Sequence, residues 1–124
     1  MLLRSSLTLL LLAAPATAHD LSEHEDLPFL AADCAGYWRG VAAHQADKSD
    51  PMAADLDNLY LAAAKDLAPA LSTDLDYVAQ TAQTRARQML KDAGQISGAA
   101  RLVAEQEQTC QAVGLALPAK WGFH

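Results

Sequence analysis

Two cysteines, a pair of early histidines and one carboxylate that interrupts an apolar stripe are the residues of this chain whose types and spacing bear on chemistry. Cys34 and Cys110 are far apart, and neither belongs to a C-x-x-C or haem-attachment pattern. No His or second Cys stands at ligand spacing around either one, which argues against a metal pair. In an oxidising compartment an even pair at distant positions reads as one disulfide; the other reading is two buried free thiols. His19 and His24 lie in an acidic stretch, His19-Asp-Leu-Ser-Glu-His-Glu-Asp26. If cleavage leaves His19 as the first residue, its α-amine and imidazole suit Cu(II), with His24 and Glu23 or Asp26 completing a nitrogen-rich set. The plainer reading is an incidental terminus on a frayed arm.

Glu107 is the one ionisable side chain on the apolar face of the last helical segment. Counted antiparallel from a Cys34–Cys110 pair, it falls level with Tyr37 and Trp38. As a buried polar group, it could accept a hydrogen bond from the phenol or the indole, either as a structural contact or as a general acid or ligand anchor. His44 and His124 are solitary. His44 falls near a helix end, where an imidazolium favours the negative terminus. No nucleophile motif, phosphate-binding glycine loop or haem site is present, so neither enzymatic activity nor a cofactor is expected.

These residues must be positioned by a small domain. The chain has 124 residues, 9 Lys+Arg and 15 Asp+Glu, a formal charge of −6. An acidic balance excludes the basic stripe of a nucleic-acid binder. Met1–Ala18 has Arg4, an apolar run, Pro15 and small residues at Ala16 and Ala18, the pattern of a signal peptide. Its apolar run is shorter than the ~20 residues of a membrane span, and no later segment is longer. Removing it removes only Arg4, leaving 8 basic and 15 acidic groups, a charge of −7. Residues 19–124 then form one helical domain in the periplasm or outside the cell, with a short acidic arm and an irregular tail. Residues 19–76 carry 12 acids and 3 bases, against 3 acids and 5 bases in 77–124. That asymmetry would orient a basic partner, or serve solubility alone.

Helix signals recur four times. Asp26 with Pro28 opens the first, whose stripe is Leu30, Cys34, Tyr37, Trp38 and Val41. Asp50 with Pro51 opens the second, with Met52, Leu56, Leu59, Tyr60, Ala63 and Leu67 on one face, and Pro69 stops it. Ser72, Thr73 or Asp74 caps the third, whose stripe runs Leu75, Val78, Ala79, Ala82, Ala86, Met89, Leu90 and Ala93 up to Gly94 as the stop. Ser97 opens the fourth, lined by Ile96, Ala99, Ala100, Val103, Cys110 and Val113, with Gly114 as its stop. Nothing alternates like a strand. Short connections imply an all-α, up-down-up-down four-helix bundle with one disulfide. In such a bundle Cys34 and Cys110 share a pole, so their pairing is geometrically easy.

The first helix also has a smooth second face of Ala32, Gly36, Gly40 and Ala43. A helical Gly costs about 1 kcal/mol against Ala, so these glycines need a packing reason. Either another helix of this bundle covers that face or a partner docks on it. The segment Cys34-Ala-Gly36-Tyr37-Trp-Arg-Gly40-Val41 resembles the C-x-G-Y-x-x-G-V stretch of Tai-type immunity proteins. The resemblance covers eight residues and implies a small exported helical protein that neutralises a secreted toxin. The expectation is an exported, non-enzymatic module that binds a protein partner or small ligand, not nucleic acid. The alternative is a copper or redox protein using the N-terminal histidine.

Overall fold

The computed structural model describes residues 24–45 and 51–124. The leader, His19 and Asp50 lie outside the described residues. Four α-helices account for most of the rest: α1 (Leu27–His44), α2 (Pro51–Leu67), α3 (Ser72–Ala93) and α4 (Ala100–Ala116). Short 3-10 turns span Pro69–Leu71 and Ala119–Trp121. No strand occurs among the described residues. None of their helices is long and apolar enough to cross a membrane.

Proline and local hydrogen bonding set most of the boundaries. Pro28 sits in the first turn of α1, where its missing N–H leaves no intrahelical bond unmade. Asp26 occupies the cap position, but its side chain makes no capping bond. Its backbone N–H instead donates to His24 Nδ1 at 3.1 Å. Ala68, before Pro69, is driven out of the α region to φ −142°, and α2 ends there. Of the two glycines expected as stops, one ends its helix and one does not. Gly94 closes α3 at φ −85°, and the left-handed turn is made by Gly98 at φ +85°. The turns around Gly98 delay α4 to Ala100, so Ser97 does not open it. Gly114, expected as a stop, is buried inside α4.

Helix α1 is the central element, buried on two sides and packed mainly on α2 and α3. The core is built largely from alanine: Ala31, Ala32 and Ala35 meet Ala63, Ala64 and Ala79, with Leu75, Val113 and Leu117 as the larger fully buried side chains. A second cluster joins Tyr37 and Val41 to Ala53 and Ala86. Small side chains let backbones approach closely. A Cβ on Gly36 would lie 2.2 Å from the Ala79 carbonyl oxygen, and one on Gly40 would lie 2.7 Å from Ala86 Cβ. The covering element over the small-residue face is therefore α3 of this chain. Ala32, Gly36 and Gly40, weighed as partner-facing, are buried there, and Ala43 alone of the four is exposed.

The same close packing turns α2. Its buried face is Ala53, Tyr60, Ala63 and Ala64, while Met52, Leu59 and Leu67 of the expected stripe are 59%, 37% and 38% exposed. A helix seated against α1 at this distance has room for alanine in the contact, and leucine falls to its margin. Arg39 of α1 clamps Asp57 of α2 through two bonds of 3.0 and 3.1 Å, and Arg85 of α3 reaches Asp33. Paired guanidinium–carboxylate bonds of this kind hold register as well as adding energy.

Candidate functional site

Helix α4 makes lighter contact with the other helices than α2 or α3 do with α1. Among the described residues three specific ties hold it. Cys34 and Cys110 stand at disulfide distance, with Cα atoms 5.6 Å apart and both side chains buried. Nearly one turn from Cys110 along α4, the Tyr37 hydroxyl donates to Glu107 Oε2 at 2.6 Å. From α2, the Tyr60 hydroxyl donates to the Cys110 carbonyl oxygen. The expected level of Glu107 with Tyr37 is thus what the geometry has, but its burial is not. No polar or charged residue is buried among the described residues, and Glu107 is exposed, because α4 lies at the edge and its carboxylate reaches inward only to meet the phenol. Trp38 is half-buried. Its ring packs edge-on against Tyr37 at 5.1 Å, and its indole N–H is buried without a hydrogen-bond partner among the described residues.

The tail beyond α4 folds back instead of trailing as an irregular end. Gly122 turns the backbone at φ +86°, a left-handed conformation that a side chain would strain. Phe123 then packs on Tyr60 with ring centroids 4.6 Å apart, and the His124 ring lies 2.9 Å from the Leu117 carbonyl oxygen. Gly114 makes room for this arrangement: a Cβ there would lie 2.8 Å from the Phe123 ring and 2.9 Å from the Tyr60 hydroxyl.

Between α2, α4 and the returning tail these contacts leave an open groove of about 690 Å³. Trp38, Leu56, Tyr60, Leu115 and Phe123 supply its apolar lining, and Glu107, Gln108 and Gln111 of α4 supply its polar side. Gln108 and Gln111 carry no periodic signal in sequence, and Phe123 reaches the groove only through the turn at Gly122. Tyr60 was legible as a stripe residue, but not as a donor to α4.

The other singled-out histidines do not gather. His24 is exposed on the lead into α1, and His19 lies outside the described residues. No group of three His, Cys, Asp or Glu able to hold a metal occurs among the described residues. His44, exposed in the last turn of α1, lines a separate polar groove with Arg87 and Lys91 of α3.

Both tie-forming phenols resist ionisation. Burial raises the Tyr60 pKa to about 12. Tyr37 is pushed up further, first by burial and then by the hydrogen bond and negative charge of Glu107. In the unfolded chain both titrate near 10.0. Above that pH the unfolded state has lost protons that the folded state keeps. Stability from these groups is therefore complete below about pH 10 and is lost as pH rises toward about 12. Denaturant midpoints measured between those limits should fall steeply for the native chain and less steeply for Tyr60→Phe. Parallel slopes would show that the Tyr60 hydroxyl is not protected by the fold.

Comparison of the chain with protein-family models, curated proteins and solved structures returns no match. The resemblance at Cys34–Val41 covers eight residues. Its spacing has a local physical account: Cys34 meets Cys110, Gly36 and Gly40 admit α3, Tyr37 holds Glu107, and Val41 fills the second core cluster.

Proposed function

We propose that this chain is an exported, non-enzymatic helical binding module whose ligand seats in the groove between α2 and α4. The observation that carries the reading is the groove itself. Its volume, about 690 Å³, falls within the range of small-molecule sites, and it combines an aromatic lining with a few placed polar groups. Among the described lining residues its single carboxylate is engaged by Tyr37, and no His, Cys, Ser or Lys stands beside it to act as a base or nucleophile. Export is supported by the leader pattern of Met1–Ala18 together with the disulfide-distance pair.

The bundle that presents the groove alternates in direction, up-down-up-down. Arg39–Asp57, together with the grouping of Val41 with Ala53 and of Cys34 with Tyr60, runs α2 against α1. Gly36 near Ala79 and Gly40 near Ala86 run α3 along α1. Cys34–Cys110 and Tyr37–Glu107 run α4 against it.

Screening a chemically mixed fragment library by two-dimensional NMR tests the reading. Binding fragments should shift the Trp38 indole signal and the backbone amides of Gln108, Gln111 and Phe123 together. Hits that scatter over the surface, or that cluster elsewhere, would remove the groove as the ligand site.

A further inference from the structure

The charge pattern around the groove is one-sided. Glu107 is the one charged residue among its described lining residues. The neighbouring cations are already occupied by carboxylates of α2: Arg39 by Asp57 and Lys120 by Asp66. Tyr37 takes one carboxylate oxygen of Glu107, and among the described residues the other makes no hydrogen bond. The buried phenol thus holds an exposed carboxylate in place beside Trp38, Tyr60 and Phe123. We infer that the groove selects small organic cations, an ammonium or guanidinium carried on an apolar body, with Glu107 as the counter-ion and the aromatic side chains as the seat for the body. The inference rests on the reading of the groove as a ligand site and adds the charge of the ligand.

The physics favours this sign. A cation at an aromatic face gains from the ring quadrupole, and the adjacent carboxylate adds direct attraction. An anion placed there meets the charge of Glu107 with no basic side chain among the described lining residues to offset it. The chain's formal charge of −6 steers cations toward the molecule as a whole. The chain's own acidic lead-in, with Asp20 and Glu23, has the wrong sign to satisfy Glu107.

Three probes of one shape separate charge from apolar fit: 4-phenylbutylamine, 4-phenylbutan-1-ol and 4-phenylbutyrate, each titrated into the protein and followed by NMR shifts. The amine should shift the Trp38 indole and the Gln108 and Phe123 amides, with a Kd about tenfold or more below that of the alcohol. The carboxylate should bind most weakly. Glu107→Gln keeps an acceptor for the Tyr37 hydroxyl and should bring the amine to the Kd of the alcohol. Glu105→Gln makes the same charge change on α4 outside the groove lining and should leave the gap intact. An alcohol that binds as tightly as the amine overturns the inference, as does a gap that closes equally in both variants. If the shifts still fall in the groove, those results leave the ligand site standing. Absence of groove shifts from all three probes overturns the inference and counts against the groove as well.

Discussion

Gly36→Leu lowers the stability of the isolated chain by about 3 kcal/mol, at the upper end of ordinary overpacking. The reason is what the new side chain meets. Its Cβ alone would stand 2.2 Å from the Ala79 carbonyl oxygen, 2.5 Å from Ala82 Cβ and 2.9 Å from the Gln83 backbone nitrogen. Two of those three atoms are helix backbone, which cannot rotate aside as a flexible side chain can. The α1–α3 contact must open, and the alanine packing on either side of it opens too. Removing a helical glycine returns about 1 kcal/mol, which is too little to offset that loss. Gly94→Ala is the matched control. Its nearest neighbour would be the Lys91 carbonyl oxygen at 3.7 Å, in ordinary contact, so stability should hold or rise slightly. Chemical denaturation of both variants measures the difference. A Gly36→Leu chain as stable as the native one would show that α3 does not lie against this face, and the face would again be open to a partner.

Cys110→Ala lowers stability by about 2–5 kcal/mol. The cysteines are 76 residues apart in sequence. Closing a loop of that length removes about 4.5 kcal/mol of chain entropy from the unfolded state on the simplest account. The folded state gives a second reason. Helix α4 is held to the rest by few contacts, and the Cys34 link lies beside both of its other ties, Tyr37–Glu107 and Tyr60 to the Cys110 carbonyl. Without the link, α4 should open before the remainder. Hydrogen exchange in the variant should therefore accelerate over α4 more than over α1 or α3. Thiol labelling of the unreduced, denatured native chain supplies the direct check. Two labelled cysteines would sink the disulfide and the stability prediction with it.

What could be read from the sequence follows from local chemistry. Pro51 and Pro69 mark helix ends because proline fixes its own backbone and that of the residue before it. Leu75, Ala79, Ala82 and Ala86 recur at helical spacing on α3, and they are the residues it buries. Counting residues at helical rise from Cys34 and Cys110 placed Glu107 beside Tyr37, because two helices joined at one point keep register for a turn or two.

Tertiary packing decided the rest. Periodicity marks a broad arc on α2, and both a leucine edge and an alanine edge fit within it. Only the closeness of α1 selects Ala53, Ala63 and Ala64 for the contact and leaves Met52, Leu59 and Leu67 outside. Glycine is equally ambiguous in one dimension. Gly94, Gly98 and Gly114 all follow helical stripes or precede them, yet one closes a helix, one turns left-handed, and one makes room for Phe123 and Tyr60. The groove has no sequence signature because its walls come from α1, α2, α4 and a tail that folds back through Gly122. A short chain built on alanine brings its backbones close wherever side chains are smallest. Where the helices then part, at the Trp38–Glu107–Phe123 side, is a property of the assembled packing and not of any one segment.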